Sequence, residues 1–91
     1  MPVTETSVTI TNKVGLHARP AALLVQTAAL FRSQIRVQCR EKDANAKSIM
    51  GILKLGAGSG DTLLLRAEGE DAEEAISTLA DLIRRKFDEE E

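Results

Sequence analysis

Tryptophan and tyrosine are absent from this 91-residue chain, and two phenylalanines are its only aromatic residues. Proteins that hold single-stranded nucleic acid usually stack the bases on aromatic side chains. Nucleic-acid binding therefore has little support here. A single cysteine, Cys39, cannot form an internal disulfide and is too little for a structural zinc site. A single histidine, His17, means that any imidazole chemistry rests on that residue. No apolar run approaches the roughly 20 residues that span a bilayer, so no membrane insertion is expected. Residues Met1 to Glu5 carry neither a basic stretch nor an apolar one. Together with the lone thiol, this predicts a cytoplasmic chain.

What is present is ordinary for a globular protein: 43% apolar residues and 29% charged. A chain of this length makes one domain, residues 1–91, with one hydrophobic core. The net charge of −2 is divided along the chain. Residues 1–67 hold nine Lys/Arg against four acids, a net of +5, and residues 68–91 hold ten acids against three bases, a net of −7. A nucleic-acid surface is normally net basic, whereas the positive portion here suits an acidic protein partner. Residues 88–91 are all acidic and read as a frayed, solvated tail.

Hydrophobic periodicity changes several times along the chain. Residues 3–11 are rich in β-branched side chains and alternate, which predicts a strand. From Ala18 to about Phe31 the period is helical, with Ala21, Leu24, Val25, Ala28 and Phe31 on one stripe. Residues 34–40 alternate again, with Ile35, Val37 and Cys39 on one face, and residues 41–47 have room for a short strand. Ser48 opens a short helix that runs to about Leu55. The stretch from Gly56 to Asp61 contains three glycines and reads as a turn. Residues 62–68 form a strand with Leu63, Leu65 and Ala67 inward. A last helix is expected from about Asp71 to Phe87, with acids at its start and bases near its end, as the helix dipole favours. This order lacks the regular alternation of a doubly wound sheet. It points to an α+β fold, an antiparallel sheet with helices on one face.

The segment Gly15-Leu16-His17-Ala18-Arg19-Pro20 carries the clearest chemistry. Proline favours the first turn of a helix, which puts His17 at or near the N-cap. Free N–H groups and the positive end of the helix dipole make that position attractive to anions. An uncharged imidazole has a lone pair and needs no base to act as a nucleophile. A phosphoryl group on His17 would lie against those N–H groups, and Arg19 is close enough in sequence to share its oxygens. His17 as a plain capping or surface residue, with Arg19 a solvated charge, fits the same residues.

In the second helix Ser48 is a good N-cap. Ile52 and Leu55 fall on one inward stripe, which leaves Ile49, Met50 and Leu53 to face outward or to fill a crowded core. Leu23, off the stripe of the first helix, would join an outward patch of the kind that marks a partner surface. Nothing in the pattern calls for a metal or a cofactor, and no second titratable group is placed to share chemistry with His17 and Arg19.

Gly-Leu-His-Ala-Arg-Pro-Ala at 15–21 and Lys-Ser-Ile-Met-Gly at 47–51 resemble the two signature segments of the HPr family. These are the histidine-containing phosphocarriers of the bacterial phosphoenolpyruvate:sugar phosphotransferase system. The resemblance extends over almost the whole chain and includes Ala-Glu-Gly-Glu-Asp at 67–71. It implies an open-faced β-sandwich, a four-stranded antiparallel sheet covered on one face by three helices. It also implies that His17 accepts a phosphoryl group on Nδ1 from phosphorylated Enzyme I and passes it to a histidine of an Enzyme IIA protein. Such a protein is a carrier and does not turn over alone; a monomer is expected, because it must dock several partners in turn. Arg19 matches the arginine that stabilises the phosphoryl group. Ser48 matches a serine modified by an ATP-dependent kinase and restored by a phosphorylase, which links the family to a catabolite-control regulator. Ala18, Leu23, Ile49, Met50 and Leu53 match partner-binding positions. A nitrogen-branch phosphocarrier or a regulatory binding module of the same fold is the alternative. His17 argues against the regulator Crh, which lacks the active histidine. The Glu-rich end departs from the family, in which the C-terminal carboxylate can lie near the active site.

Overall fold

Alternating β-branched residues form strand β1 (Val3–Thr9) in the computed structural model, which describes residues 2–88. Helix α1 (Ala18–Ala28), strands β2 (Gln34–Cys39) and β3 (Lys42–Asn45), helix α2 (Ile49–Lys54), strand β4 (Thr62–Glu68) and helix α3 (Ala72–Arg84) follow. A short 3₁₀ turn, Lys86–Asp88, ends the described chain. The four strands make one antiparallel sheet in the order β1-β4-β2-β3.

Register sets which face is apolar. Val8 lies opposite Leu63 and Thr6 opposite Leu65, while Ile35 faces Ala67 and Val37 faces both Leu65 and Ala44. The strand period of two brings all of these to one side. The other side carries Glu5, Arg36, Gln38 and Arg66 and is open to solvent. Helix α3 covers β1 and β4, and α1 packs against both α2 and α3. In α3, Ala72, Ala75, Ile76, Leu79, Leu82 and Ile83 fall at helical spacing and are all buried. Full burial of Leu79 or Ile83 stabilises by about 1.5–3 kcal/mol each.

Three element ends differ from the sequence expectation by two residues or more. Strand β1 ends at Thr9, not residue 11, because the regular ladder breaks at Ile10, which donates to the Asp61 carbonyl but accepts from the Gly60 N–H. Helix α1 ends at Ala28, not Phe31; the amides of Leu30 and Phe31 reach back only three residues, to Thr27 and Ala28. Helix α3 ends at Arg84, not Phe87. Lys86, Phe87 and Asp88 all adopt positive φ, which reverses the chain and carries the Phe87 ring into the core. Phe87 is therefore buried by a left-handed turn, not by helical spacing. Of the expected acidic tail, Asp88 pairs with Arg85 at 3.1 Å, and Glu89 to Glu91 lie outside the described residues. Among the described residues, no helix is long and apolar enough to cross a membrane.

Candidate functional site

His17 is the N-cap of α1, with extended backbone angles (φ −80°, ψ −175°). Its carbonyl accepts the first helical hydrogen bond, from the Ala21 N–H at 2.9 Å. Its imidazole makes no capping hydrogen bond. Pro20 gives a physical reason. An N-cap side chain usually reaches the second or third helical N–H, and the third residue here is Pro20, which has none. Helix geometry leaves the N–H groups of Ala18 and Arg19 without an intrahelical partner. No acidic residue occupies the first turn, so the positive end of the dipole is not offset locally. His17, Ala18 and Arg19 are all exposed, while Pro20 and Leu16 on either side are buried. The imidazole thus stands on the surface, on a backbone anchored from both sides. A nucleophile placed this way is open to the active site of a second protein.

The loop before His17 rests on the glycine-rich loop between α2 and β4. The Leu16 N–H donates to the Ala57 carbonyl at 3.0 Å. Gly15 has φ +67°, and a Cβ added there would sit 2.6 Å from Gly58 Cα. Buried Asn12 donates its side-chain amide to the Gly15 carbonyl at 2.8 Å. Asp61 then pins the glycine loop, accepting from the Gly58 N–H at 2.8 Å and pairing with Arg40 at 2.7 Å. The Gly58 hydrogen bond first, and Arg40 second, hold the Asp61 carboxyl below the ordinary carboxylate range. Sequence reading treats residues 56–60 as a plain turn and misses Asn12, Ala57, Gly58 and Asp61 as supports of the His17 loop. The three glycines were the available signal, since close backbone approach is one reason for glycine.

Ser48 caps α2 as expected, its Oγ accepting from the Gly51 N–H at 3.1 Å. Gly51 leaves the room: a Cβ there would lie 3.2 Å from Ser48 Oγ. Lys47 fixes the approach to this cap by donating to the Phe31 carbonyl at 2.7 Å. Ile52 and Leu55 point inward, and Ile49, Met50 and Leu53 are 38%, 60% and 37% exposed. The crowded-core alternative for these three is thereby removed. Leu23 is only half-buried and packs against the core edge. Val14, three residues before His17, is 56% exposed and was not part of the expected patch.

A family model described as the PTS HPr component phosphorylation site matches residues 4–85. The chain belongs to the HPr family. Its relatives include the phosphocarrier protein HPr of Xylella fastidiosa (strain Temecula1), 42% identical over 94% of this chain and 97% of that one. The HPr-C-His structure from Thermoanaerobacter tengcongensis superposes with a TM-score of 0.93 at 58% identity, covering 97% of this chain and 99% of that one. An HPr from Bacillus anthracis str. Ames gives a TM-score of 0.87 at 43% identity over 91% and 99% of the two chains. The HPr fold, an open four-stranded antiparallel sheet with three helices, is the one described above. As an HPr the protein is a phosphocarrier of the phosphotransferase system.

Proposed function

We propose that His17 is the phosphoryl acceptor, taking the group from phosphorylated Enzyme I and passing it to Enzyme IIA proteins during sugar uptake. The observation that supports this most is the uncommitted imidazole of His17 at the N-cap of α1, exposed and free of capping duty. In the forward step the Nδ1 lone pair attacks phosphorus as the P–N bond to the donor histidine breaks. The electron pair of that bond returns to the donor nitrogen, and the far ring nitrogens exchange any proton with solvent. The Ala18 and Arg19 N–H groups and the Arg19 guanidinium offset the charge on the phosphoryl oxygens. The reverse chemistry delivers the group to Enzyme IIA. The protein acts as a carrier between partners, as a cytoplasmic monomer, and performs no turnover alone.

Docking uses Ala18 together with exposed Ile49, Met50 and Leu53, and the edge formed by Leu23. Ser48 is the regulatory site, modified by a serine kinase and restored by a phosphorylase, and its phosphorylated form addresses a catabolite-control regulator. The supporting observation is its half-exposed position beside Ile49 and Met50.

The test is mass spectrometry after incubation with Enzyme I, magnesium and phosphoenolpyruvate. One added phosphoryl mass is expected, labile in mild acid and absent from His17→Ala. Arg19→Ala should slow its appearance without abolishing it. No gain on folded protein, with an Enzyme I active on an established HPr, overturns the proposal.

A further inference from the structure

The glycine loop under His17 is not held by its own turn alone. The Asp61 carboxylate lies where three parts of the chain meet. One of its oxygens, Oδ2, accepts from the Gly58 N–H at 2.8 Å and receives Arg40 Nη1 at 2.7 Å. Arg40 comes from the β2–β3 turn and also donates through Nη2 to the Gly56 carbonyl at 3.4 Å. The Asp61 backbone closes the other side: its carbonyl accepts from Ile10 at 2.9 Å, and its N–H donates to Gly58 at 3.0 Å. Ile10 lies at the start of the segment that leads to His17.

These contacts form a short chain to the acceptor. Asp61 fixes Gly58, and Gly58 Cα is the surface on which Gly15 rests. Neighbouring Ala57 holds the Leu16 N–H through its carbonyl, and His17 is the next residue. Arg40 keeps this arrangement from an unfavourable backbone position, since φ +56° is a left-handed conformation that disfavours a side chain. Neither Asp61 nor Arg40 contributes to the exposed apolar residues of α2.

We propose that Asp61 is a positioning residue for phosphoryl transfer at His17, acting through Gly58 and Ala57 to fix the loop that carries the imidazole. The proposal rests on His17 being the acceptor. In-line transfer between two imidazoles depends on geometry, and a displacement near 1 Å is enough to cost up to about a hundredfold in rate. Asp61 thereby controls the transfer step and not the docking step.

The test is single-turnover transfer from phosphorylated Enzyme I, followed by rapid quench over a range of Enzyme I concentrations. Asp61→Ala is expected to lower the maximal rate about tenfold, with the half-saturating concentration unchanged. Asp61→Asn keeps an acceptor oxygen but loses the charge that pairs with Arg40, and Arg40→Ala keeps the Gly58 contact alone; each should lose about threefold. Amide hydrogen exchange supplies a local signature: Leu16 should lose protection in Asp61→Ala while Ile35 and Leu65 keep theirs. A folded Asp61→Ala protein with the wild-type maximal rate overturns the proposal. So does a slowed variant whose Leu16 amide stays protected, or a change confined to half-saturation. If Asp61→Ala does not fold, exposed Arg40→Ala decides, and a wild-type rate there overturns the proposal. Failure of the wild-type protein to accept the group at all is a separate result. It removes the acceptor role of His17 before any variant is compared.

Discussion

Asp71 accepts hydrogen bonds from both the backbone N–H (2.9 Å) and the hydroxyl of Ser33, and from the Arg32 N–H at 2.8 Å. It stands at the N-cap of α3 yet makes no side-chain cap to that helix. Its carboxylate instead ties the α1–β2 turn to the start of α3. Gly69 completes the junction, because a Cβ there would lie 2.8 Å from Ser33 Cα. The Ser33 hydroxyl first, then the Arg32 N–H, holds the Asp71 carboxyl below its usual range.

A pH dependence follows with a definite sign. A carboxylate whose pKa is lower in the folded state stabilises the fold above the unfolded pKa, about 3.9 for Asp. That contribution fades as pH falls through the folded value. Asp43, lowered chiefly by its hydrogen bond to Arg36, and Asp61 act in the same direction. Thermal midpoints should therefore drop on acidification below about pH 4. Asp71→Asn should be less stable at neutral pH and show a shallower acid slope. Identical slopes for the two proteins would remove Asp71 from this account.

Gly15 tests the seat of the His17 loop directly. Its φ of +67° costs a side chain about 1–2 kcal/mol. The added Cβ would also meet backbone atoms of Ala57 and Gly58, which cannot rotate away. Gly15→Ala should lose about 2 kcal/mol or more, read by denaturant titration. The folded fraction should also transfer phosphoryl groups more slowly than wild type. Wild-type stability in this variant would show that the two loops separate at little cost.

Phe87 is 1% exposed and is the largest fully buried side chain among the described residues. It reaches the core only through three consecutive left-handed residues, each unfavourable on its own. Burial of the ring must outweigh that cost. Phe87→Ala should destabilise by about 3–5 kcal/mol in urea titration, with His17 phosphorylation retained in the folded fraction. A loss under about 1 kcal/mol would mean that the turn, not the ring, holds the chain end.

How far these features could be read in advance differs by kind. Helical spacing places Ile52 and Leu55 inward, because a six-residue helix has only one face to bury, but it leaves Ile49, Met50 and Leu53 open between the surface and a crowded core until their exposure is seen. Strand alternation likewise assigns Leu63, Leu65 and Ala67 to the core. Pro20 locates the N-cap at His17 because its chemistry is local. The misses are of two kinds: the end of β1 and the supports of the His17 loop depend on residues distant in sequence, whereas the ends of α1 and α3 are set by local turns without a glycine signal. Alternation continues past Thr9, but the regular ladder breaks at Ile10, which bonds to Gly60 and Asp61. The left-handed turn at Phe87 carries no glycine to announce it. Asp61 is distant in sequence from both Arg40 and Leu16, so its part in supporting His17 becomes visible only once the loops are packed together.

Ser48 allows its structural role to be separated from the regulatory one proposed for it. Its Oγ accepts from Gly51 N–H, and removing such a cap costs about 1 kcal/mol. Ser48→Ala should lose roughly that amount in denaturant titration while keeping wild-type phosphorylation at His17. Ser48→Asp keeps an acceptor oxygen at the cap and should be nearly as stable as wild type. It also places negative charge beside exposed Ile49 and Met50. The expected effect is a higher half-saturating concentration of Enzyme I, with the maximal transfer rate preserved, because the charge acts on docking and not on the imidazole. Kinase-phosphorylated protein, with about −1.5 to −2 charges at that point, should show the larger shift of the two. A fall in maximal rate at unchanged half-saturation would place the effect of Ser48 on the chemistry of His17 and rule out its action through the α2 surface.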